Sequence, residues 1–329
     1  MTIRTKLGLA LKGALVLGAA FAVSGFAGPK PECIAPAAPG GGWDFTCRTV
    51  GRLLQELKIV DRPVQVVNMP GAVGAVAFAH VAENRSKDGN LIVAASSVGM
   101  TQIAQRRYPG DADKMRWVGM LGADAGVVLV KADSPYKTLG DLITAMKGNP
   151  AVAVTGGSSG AGGYDHLRLL LVARAAGMGA ADLRKIRWVQ FDGGSTAVTQ
   201  MLGGHIGVVT TDLGEISGFV ESGQVRALAV LTQDRLPGKF ANLPTAREQG
   251  FDVVGLNWRG FYTGGQVADG DYDKMVAGLK RLYDSPEWKE TAQKSGLTPM
   301  WSGGKEFEAF ARKSVNDLRE LSRDIGVIK

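Results

Sequence analysis

Ser158 sits at the centre of Gly156-Gly157-Ser158-Ser159-Gly160, a G-x-S-x-G run between an expected strand and an expected helix. On such a turn a serine can act as a nucleophile, provided an acid and then a histidine follow it in the chain. The histidines are His80, His166 and His205. His166 lies too close to Ser158, His205 heads an expected strand, and no histidine follows. The glycines also run on through Gly162-Gly163, where a nucleophile elbow would already be helical. Read as a cradle of hydroxyls and backbone N–H groups, Thr155, Gly157, Ser158 and Ser159 hold an anion without a triad.

Three more glycine-rich stretches open helical patterns: Pro39-Gly40-Gly41-Gly42, Pro70-Gly71-Ala72-Val73-Gly74 and Gly193-Gly194-Ser195-Thr196. A helix start leaves backbone N–H groups unpaired and carries about half a positive charge, and glycine lets a ligand come close. One such loop alone is most simply a tight turn, with Asp44 capping the helix after it. Four of them at strand-to-helix junctions would lie beyond the carboxyl ends of strands, where open α/β sheets bind ligands. Converging on one cleft, they suit a molecule with several carboxylates. Asp212 either accepts from a ligand hydroxyl or amine or caps the helix starting at Leu213. Arg259, between two expected strands, either grips a carboxylate bidentately or is a surface arginine. His166 reads as a packed first-turn residue.

The elements that position these residues alternate. Val64-Val67, Leu91-Ala95, Val127-Val130, Ala151-Val154, Ile186-Val189, Ile206-Val209 and Val225-Leu231 have strand character. Between them run helical stripes such as Val50, Leu53, Leu54 and Leu57, and Thr138-Leu139-Gly140-Asp141 has the form of a capping box. This alternation predicts an α/β fold with parallel sheets covered by helices. From residue 271 onward the pattern is helical alone. About 300 residues after a leader exceed one comfortable core, so two domains are expected.

The leader itself is expected at residues 1–27: Arg4, Lys6 and Lys12, the apolar run Gly13 to Val23, then Gly25-Phe26-Ala27. The run is too short to span a membrane, which takes about 20 residues. The expected product is exported and soluble. Its loss removes three basic residues, so the formal charge falls from +7 to +4, 35 basic against 31 acidic. That mild, scattered charge gives no nucleic-acid footprint. No complete phosphate-loop or dinucleotide fingerprint occurs. Cys33 and Cys47 are the two cysteines, forming one bridge or two free thiols, and export favours the bridge. No spacing matches a metal site, and no cofactor is expected.

Glu32 to Cys47, with its Pro39-Gly40-Gly41-Gly42-Trp43-Asp44 centre, resembles the start of the mature solute-binding receptors of tripartite tricarboxylate transporters. Further matches are Met69 to Ala77, Lys131 to Leu139, Phe191 to Thr196, Leu236-Pro237-Gly238, Pro244 to Gly250 and Arg259-Gly260-Phe261-Tyr262. The cysteine pair and the Arg259 segment are most similar to the citrate-binding branch. The resemblance implies a two-lobed periplasmic binding protein of type II, each lobe a mostly parallel sheet flanked by helices, with the ligand cleft between them. It implies an outer domain of residues 28–128 and 232–329 and an inner domain of 129–231. The ligand contacts implied are Pro39 to Asp44, Ser96 and Ser97 from one domain, and Thr155 to Ser159 with Gly193 to Thr196 from the other. Gly71, Asp212 and Arg259 join the candidate set from the reading of the residues themselves. The implied partners are a di- or tricarboxylate such as citrate and membrane permease subunits, the receptor being a monomer in the periplasm and not an enzyme. Two other functions fit the same residues: an exported hydrolase using Ser158, and a carboxylate sensor for a membrane kinase.

Overall fold

The computed structural model describes residues 30–191 and 193–329; the leader expected at 1–27 lies outside the described residues. The chain starts with β1 (Glu32–Ala35), α1 (Gly42–Glu56), β2 (Gln65–Asn68), α2 (Ala75–Asn84), β3 (Leu91–Ser96) and α3 (Ser97–Ala104). A long strand follows, β4 (Met115–Lys131). Next come α4 (Leu139–Gly148), β5 (Val154–Gly157), α5 (Tyr164–Ala175), α6 (Ala180–Leu183), β6 (Arg187–Gln190), α7 (Gly194–Leu202), β7 (Val208–Asp212), α8 (Leu213–Glu221) and β8 (Val225–Val230). The chain then returns through β9 (Leu256–Gly264), α9 (Asp269–Asp284), α10 (Pro286–Lys294), β10 (Leu297–Gly303) and α11 (Lys305–Asp324). The Thr138 and Asp141 capping box forms at the start of α4 as its spacing predicts.

The strands run in the order β2-β1-β3-β9-β4-β7-β5-β6, with β8 and β10 also paired to β4. Strand β4 belongs to both lobes. Met115 to Ala125 pairs with β9, whereas Gly126 to Leu129 pairs with β7 and Val127 to Lys131 with β8. At the change of partner a second crossing lies alongside: Leu231 donates its N–H to Gly126 O and Gly255 donates to Leu231 O. A Cβ on Gly126 would meet Gly255 O at 2.5 Å and Arg168 Nε at 2.8 Å, so only glycine lets these segments approach.

Two expectations are corrected here. The sheets are mixed rather than mostly parallel: β1, β2 and β3 are parallel, as are β5, β6 and β7, but β9 runs antiparallel to β3 and β4, and β4 antiparallel to β7, β8 and β10. The strands that link the lobes must run back and forth between them. The tail after residue 271 is also not helix alone, because β10 pairs with β4. Its Leu297-Thr298-Pro299-Met300-Trp301-Ser302-Gly303 is only partly buried and lacks a β-branched run, so it carries little strand signal.

Each lobe has a core on both faces of its sheet. Cys33, Leu54, Ile92, Leu121 and Met275 form one cluster of the first lobe, and Ile34, Phe78, Val93, Trp117 and Phe307 the other. Val128, Leu142, Leu167 and Val208 sit on one face of the second sheet, with Val127, Val198, Val209 and Ile216 on the opposite face. Residues between 232 and 255 pack with these second-lobe clusters, through Leu236, Phe240 and Leu243 on one face and Ala246, Phe251 and Val253 on the other. Helix α11 joins both lobes: Phe307, Ala311 and Val315 pack in the first, Leu321 near its end in the second. The Cys33–Cys47 disulfide is present and ties β1 to α1.

Candidate functional site

The first loop is held by Asp44. Its carboxylate accepts from Gly40 N at 2.8 Å, Asn68 Nδ2 at 2.8 Å and Arg48 Nε at 3.0 Å. The Arg48 guanidinium holds this carboxyl down to about 2, with the Gly40 N–H and Asn68 amide assisting. Asp44 therefore shapes the Pro39 to Gly41 turn, and Gly41 occupies the N-cap of α1 without side-chain help. The first-turn N–H groups at Gly42 and Trp43 have no intrahelical acceptor. A Cβ on Gly42 would lie 3.3 Å from Arg259 Nη1, so the helix start and the guanidinium are in contact.

Beside it, Trp43 Nε1 donates to Ser96 Oγ at 3.2 Å, which also accepts from Val98 N and caps α3. Ser97 Oγ donates to Leu256 O and accepts from Trp258 N, fastening α3 to β9. Gly71 is exposed and backs onto Val76, while Gly74 of the same loop lies beside Trp43, a Cβ there falling 3.4 Å from its ring.

In the second lobe β5, β6 and β7 are parallel, so their carboxyl ends and the loops into α5, α7 and α8 share one edge. Thr155 Oγ1 is buried and donates to Arg187 O, a strand-to-strand bond. Gly157 is needed because a Cβ there would collide with Thr210 O. Ser158 donates both its N–H, at 2.9 Å, and its hydroxyl, at 2.6 Å, to Asp165 Oδ2. Ser159 Oγ accepts from Asp165 N at 3.0 Å. His166 packs in the first turn as expected: Gly162 N donates to its Nδ1, its ring stacks on Trp188, and burial pushes its pKa down to about 4. The Ser158 hydroxyl thus meets a carboxylate, not a histidine base.

At the junction of the lobes Asp212 and Arg259 were named from the sequence, whereas Arg168, Asp165, Asp124 and Asn257 were not. Arg168 is fully buried, with Nη1 3.0 Å from Asp165 Oδ1, Nη2 2.7 Å from Asp212 Oδ1, and Nε donating to Gly255 O. Asp212 Oδ2 in turn accepts from Asn257 Nδ2 at 2.6 Å and Arg259 Nη2 at 3.1 Å. Asp124 Oδ2 lies 3.5 Å from the same Nη2, and its Oδ1 accepts from Gly214 N. Burial opposes the Asp212 charge, yet Arg168 and Arg259 hold its carboxyl below the usual range. Burial, then the charge of Asp212, pushes Asp124 up to about 7. Asp212 takes the N-cap position of α8 without making a cap bond. Arg259 lies inside β9, not between two strands, and its Nη2 is already engaged by aspartates.

The fourth loop has its own acid. Gly193, with φ +114°, opens α7; Gly194 N donates to Glu215 Oε2 at 2.8 Å, and Ser195 Oγ donates to Glu215 O at 2.8 Å. Ser195 and Thr196 are exposed. Contacts thus run without a break from Gly42 through Arg259, Asp212, Arg168 and Asp165 to Ser158 and Ser159. The Asp165 and Arg168 pair at i, i+3 just after a glycine loop was the available signal; Glu215 gave none.

Two α/β lobes crossed by β4 and the 231–255 connection, with helix N-termini of both lobes around a charged junction, make the architecture of a periplasmic solute-binding protein. The chain belongs to the tripartite tricarboxylate transporter receptor family (TctC), whose model matches residues 50–327. It is 27% identical to Protein BugT of Bordetella pertussis, over 94% of this chain and 96% of that one. Its fold is similar to MatC from Rhodopseudomonas palustris, solved with bound malate: TM-score 0.72, 18% identity, 89% of this chain and 98% of that one. A second R. palustris protein, solved with adipate, gives TM-score 0.74 at 19% identity, covering 90% and 97%. Among the described residues no helix is long and apolar enough to cross a membrane.

Proposed function

We propose that this protein is an exported receptor that captures a small carboxylate between its lobes and delivers it to membrane permease subunits. The observation that carries the reading is the contact of the α1 start at Gly42 with the Arg259 guanidinium, a cationic group and a helix N-terminus at one place. A carboxylate there would meet both, with Ser158 and Ser159 of the second lobe closing over it. A ligand drives closure only by touching both lobes. The malate and adipate bound by structural neighbours support the ligand class. Within that class citrate is the finer reading, carried by the resemblance of the cysteine pair and the Arg259 segment. The engagement of Arg259 by Asp212 and Asp124 weighs toward a ligand with fewer negative charges.

The test is calorimetric titration of the protein, unfolded and refolded to strip carried-over ligand, with citrate with and without magnesium, malate, succinate and adipate. One-to-one binding of at least one acid is expected. Silence on all of them overturns the reading.

A further inference from the structure

We propose that the cavity between α8 and α10 is a second ligand site, separate from the carboxylate cleft and linked to it through the angle between the lobes. Its ligand is an amphiphilic monoanion, an apolar or aromatic body carrying one negative group. The inference adds to the carboxylate-receptor reading and does not depend on it. The cavity measures about 710 Å³, within the range of small-molecule sites. Both lobes wall it: Gly214 and Ser217 of α8 with residues 236–240 on one side, Lys289, Gln293 and Lys294 of α10 with residues 295–299 on the other. Leu236-Pro237-Gly238, one of the stretches that carry the family resemblance, lines this cavity and belongs to none of the carboxylate loops.

The lining sets the chemistry of the occupant. Leu236, Pro237, Phe240, Leu297 and Pro299 give it apolar surface, and Lys239, Lys289 and Lys294 give it cations. Lys239 pairs with Glu221 and Lys294 with Glu290, each at 2.6 Å and in the open, where such pairs are weak. Lys289 has no ion pair among the described residues, so one of the three ammonium groups is left to a ligand. Ser217 and Gln293, one from each lobe, make no side-chain hydrogen bond among the described residues and are open to an anionic acceptor.

The link to the cleft is a glycine contact. A Cβ on Gly296 would lie 3.3 Å from Gly214 Cα, and one on Gly214 would lie 3.2 Å from Ser295 O, so the two walls touch there. Gly214 N also donates to Asp124 Oδ1 at 3.1 Å, and Asp124 Oδ2 lies 3.5 Å from Arg259 Nη2. An occupant that touches both walls senses the lobe angle, and any ligand that shifts that angle is coupled to it reciprocally.

The experiment titrates the native protein with anilinonaphthalene sulfonate, an aromatic monoanion that fluoresces on leaving water, and with phenylnaphthylamine, which has the same rings without the sulfonate. Unfolding curves check that each protein is cooperatively folded, because loosely packed states also take up such dyes. The sulfonate is expected to bind one-to-one and at least about tenfold more tightly than the uncharged probe. Lys289→Glu is expected to weaken the sulfonate about tenfold and leave the uncharged probe unaltered, while Ser217→Trp, filling the cavity from α8, excludes both. An acid that the protein binds, citrate or malate, is expected to change sulfonate affinity, and the sulfonate to change that of the acid by the same factor. No binding by the folded protein, or binding that persists in both variants, overturns the inference. So does competition with the acid that Lys289→Glu leaves untouched, which places the probe in the carboxylate cleft, and so does binding of probe and acid without mutual effect. If no acid binds, the receptor reading falls while the two variants still decide whether the cavity is a site.

Discussion

Arg259 of β9 and Asp212 at the end of β7 meet at 3.1 Å, one from each lobe, in a junction where Asp212 also holds Arg168 at 2.7 Å. One carboxylate therefore couples a strand of the first lobe to a helix of the second. Buried ion networks contribute little net stability against an apolar replacement, but removing one partner is costly because charge is left behind.

Arg168→Leu would leave buried Asp165 with no arginine partner and Asp212 with Arg259 alone. A loss of about 3–5 kcal/mol is expected in denaturant unfolding. A loss below about 1 kcal/mol would show that water reaches the junction and compensates it.

Gly42→Ala places a methyl 3.3 Å from Arg259 Nη1. Position 42 is helical, so folding tolerates alanine, while the guanidinium must shift from the α1 start. Carboxylate affinity is expected to fall about tenfold with little change in unfolding midpoint. Unaltered binding would take this pair out of the site.

Ser159→Ala removes the acceptor for Asp165 N at the start of α5 and is expected to cost about 1 kcal/mol as well as affinity. Ser195→Ala, at an exposed position, should keep stability and weaken binding by disturbing Glu215. If both variants bind the carboxylate as the wild type does, the second-lobe loops do not contact the ligand.

Asp124 makes stability depend on pH. Its folded pKa of about 7 lies above the unfolded value of about 4, so the native state binds the extra proton between them. Its contribution is fully present below about pH 4 and is lost as pH rises through 7, at up to about 1.4 kcal/mol per pH unit. His166, lowered to about 4, titrates in the same window with the opposite sign, so the measurement is the difference between wild type and Asp124→Asn. The asparagine variant should gain stability relative to wild type between pH 5 and pH 8 in urea titrations. A pH-independent difference would contradict the shift.

Reduction of the Cys33–Cys47 bond, which closes a loop of 14 positions, should lower stability by about 3 kcal/mol. The Cys33→Ala, Cys47→Ala double variant measured by unfolding should match the reduced protein.

Local features are legible in the residues themselves. The Thr138 capping box, the helix starts after Gly42 and Gly194, the strands around Leu91 and Val225, and the Cys33–Cys47 bridge each depend on residues within a few turns of one another. Backbone sterics and side-chain periodicity act over that range, so residue type reports them directly. The relatedness of the chain is legible too, because the motifs from Glu32 to Tyr262 occur in order.

What the tertiary structure alone decided is which charges are buried together. Arg259 reads the same in sequence whether it grips a ligand, faces solvent or pairs with Asp212, 47 positions away. Arg168 sits in the apolar run Leu167 to Val172, and nothing in that run announces that it is fully buried between two aspartates. The antiparallel crossings of β4 and β9, the strand β10 and the seating of Glu215 on Gly194 are likewise set by contacts between distant segments. Electrostatic partners and strand order follow from which surfaces meet when the cores close, and that information is spread over the whole chain rather than held in any stretch of it.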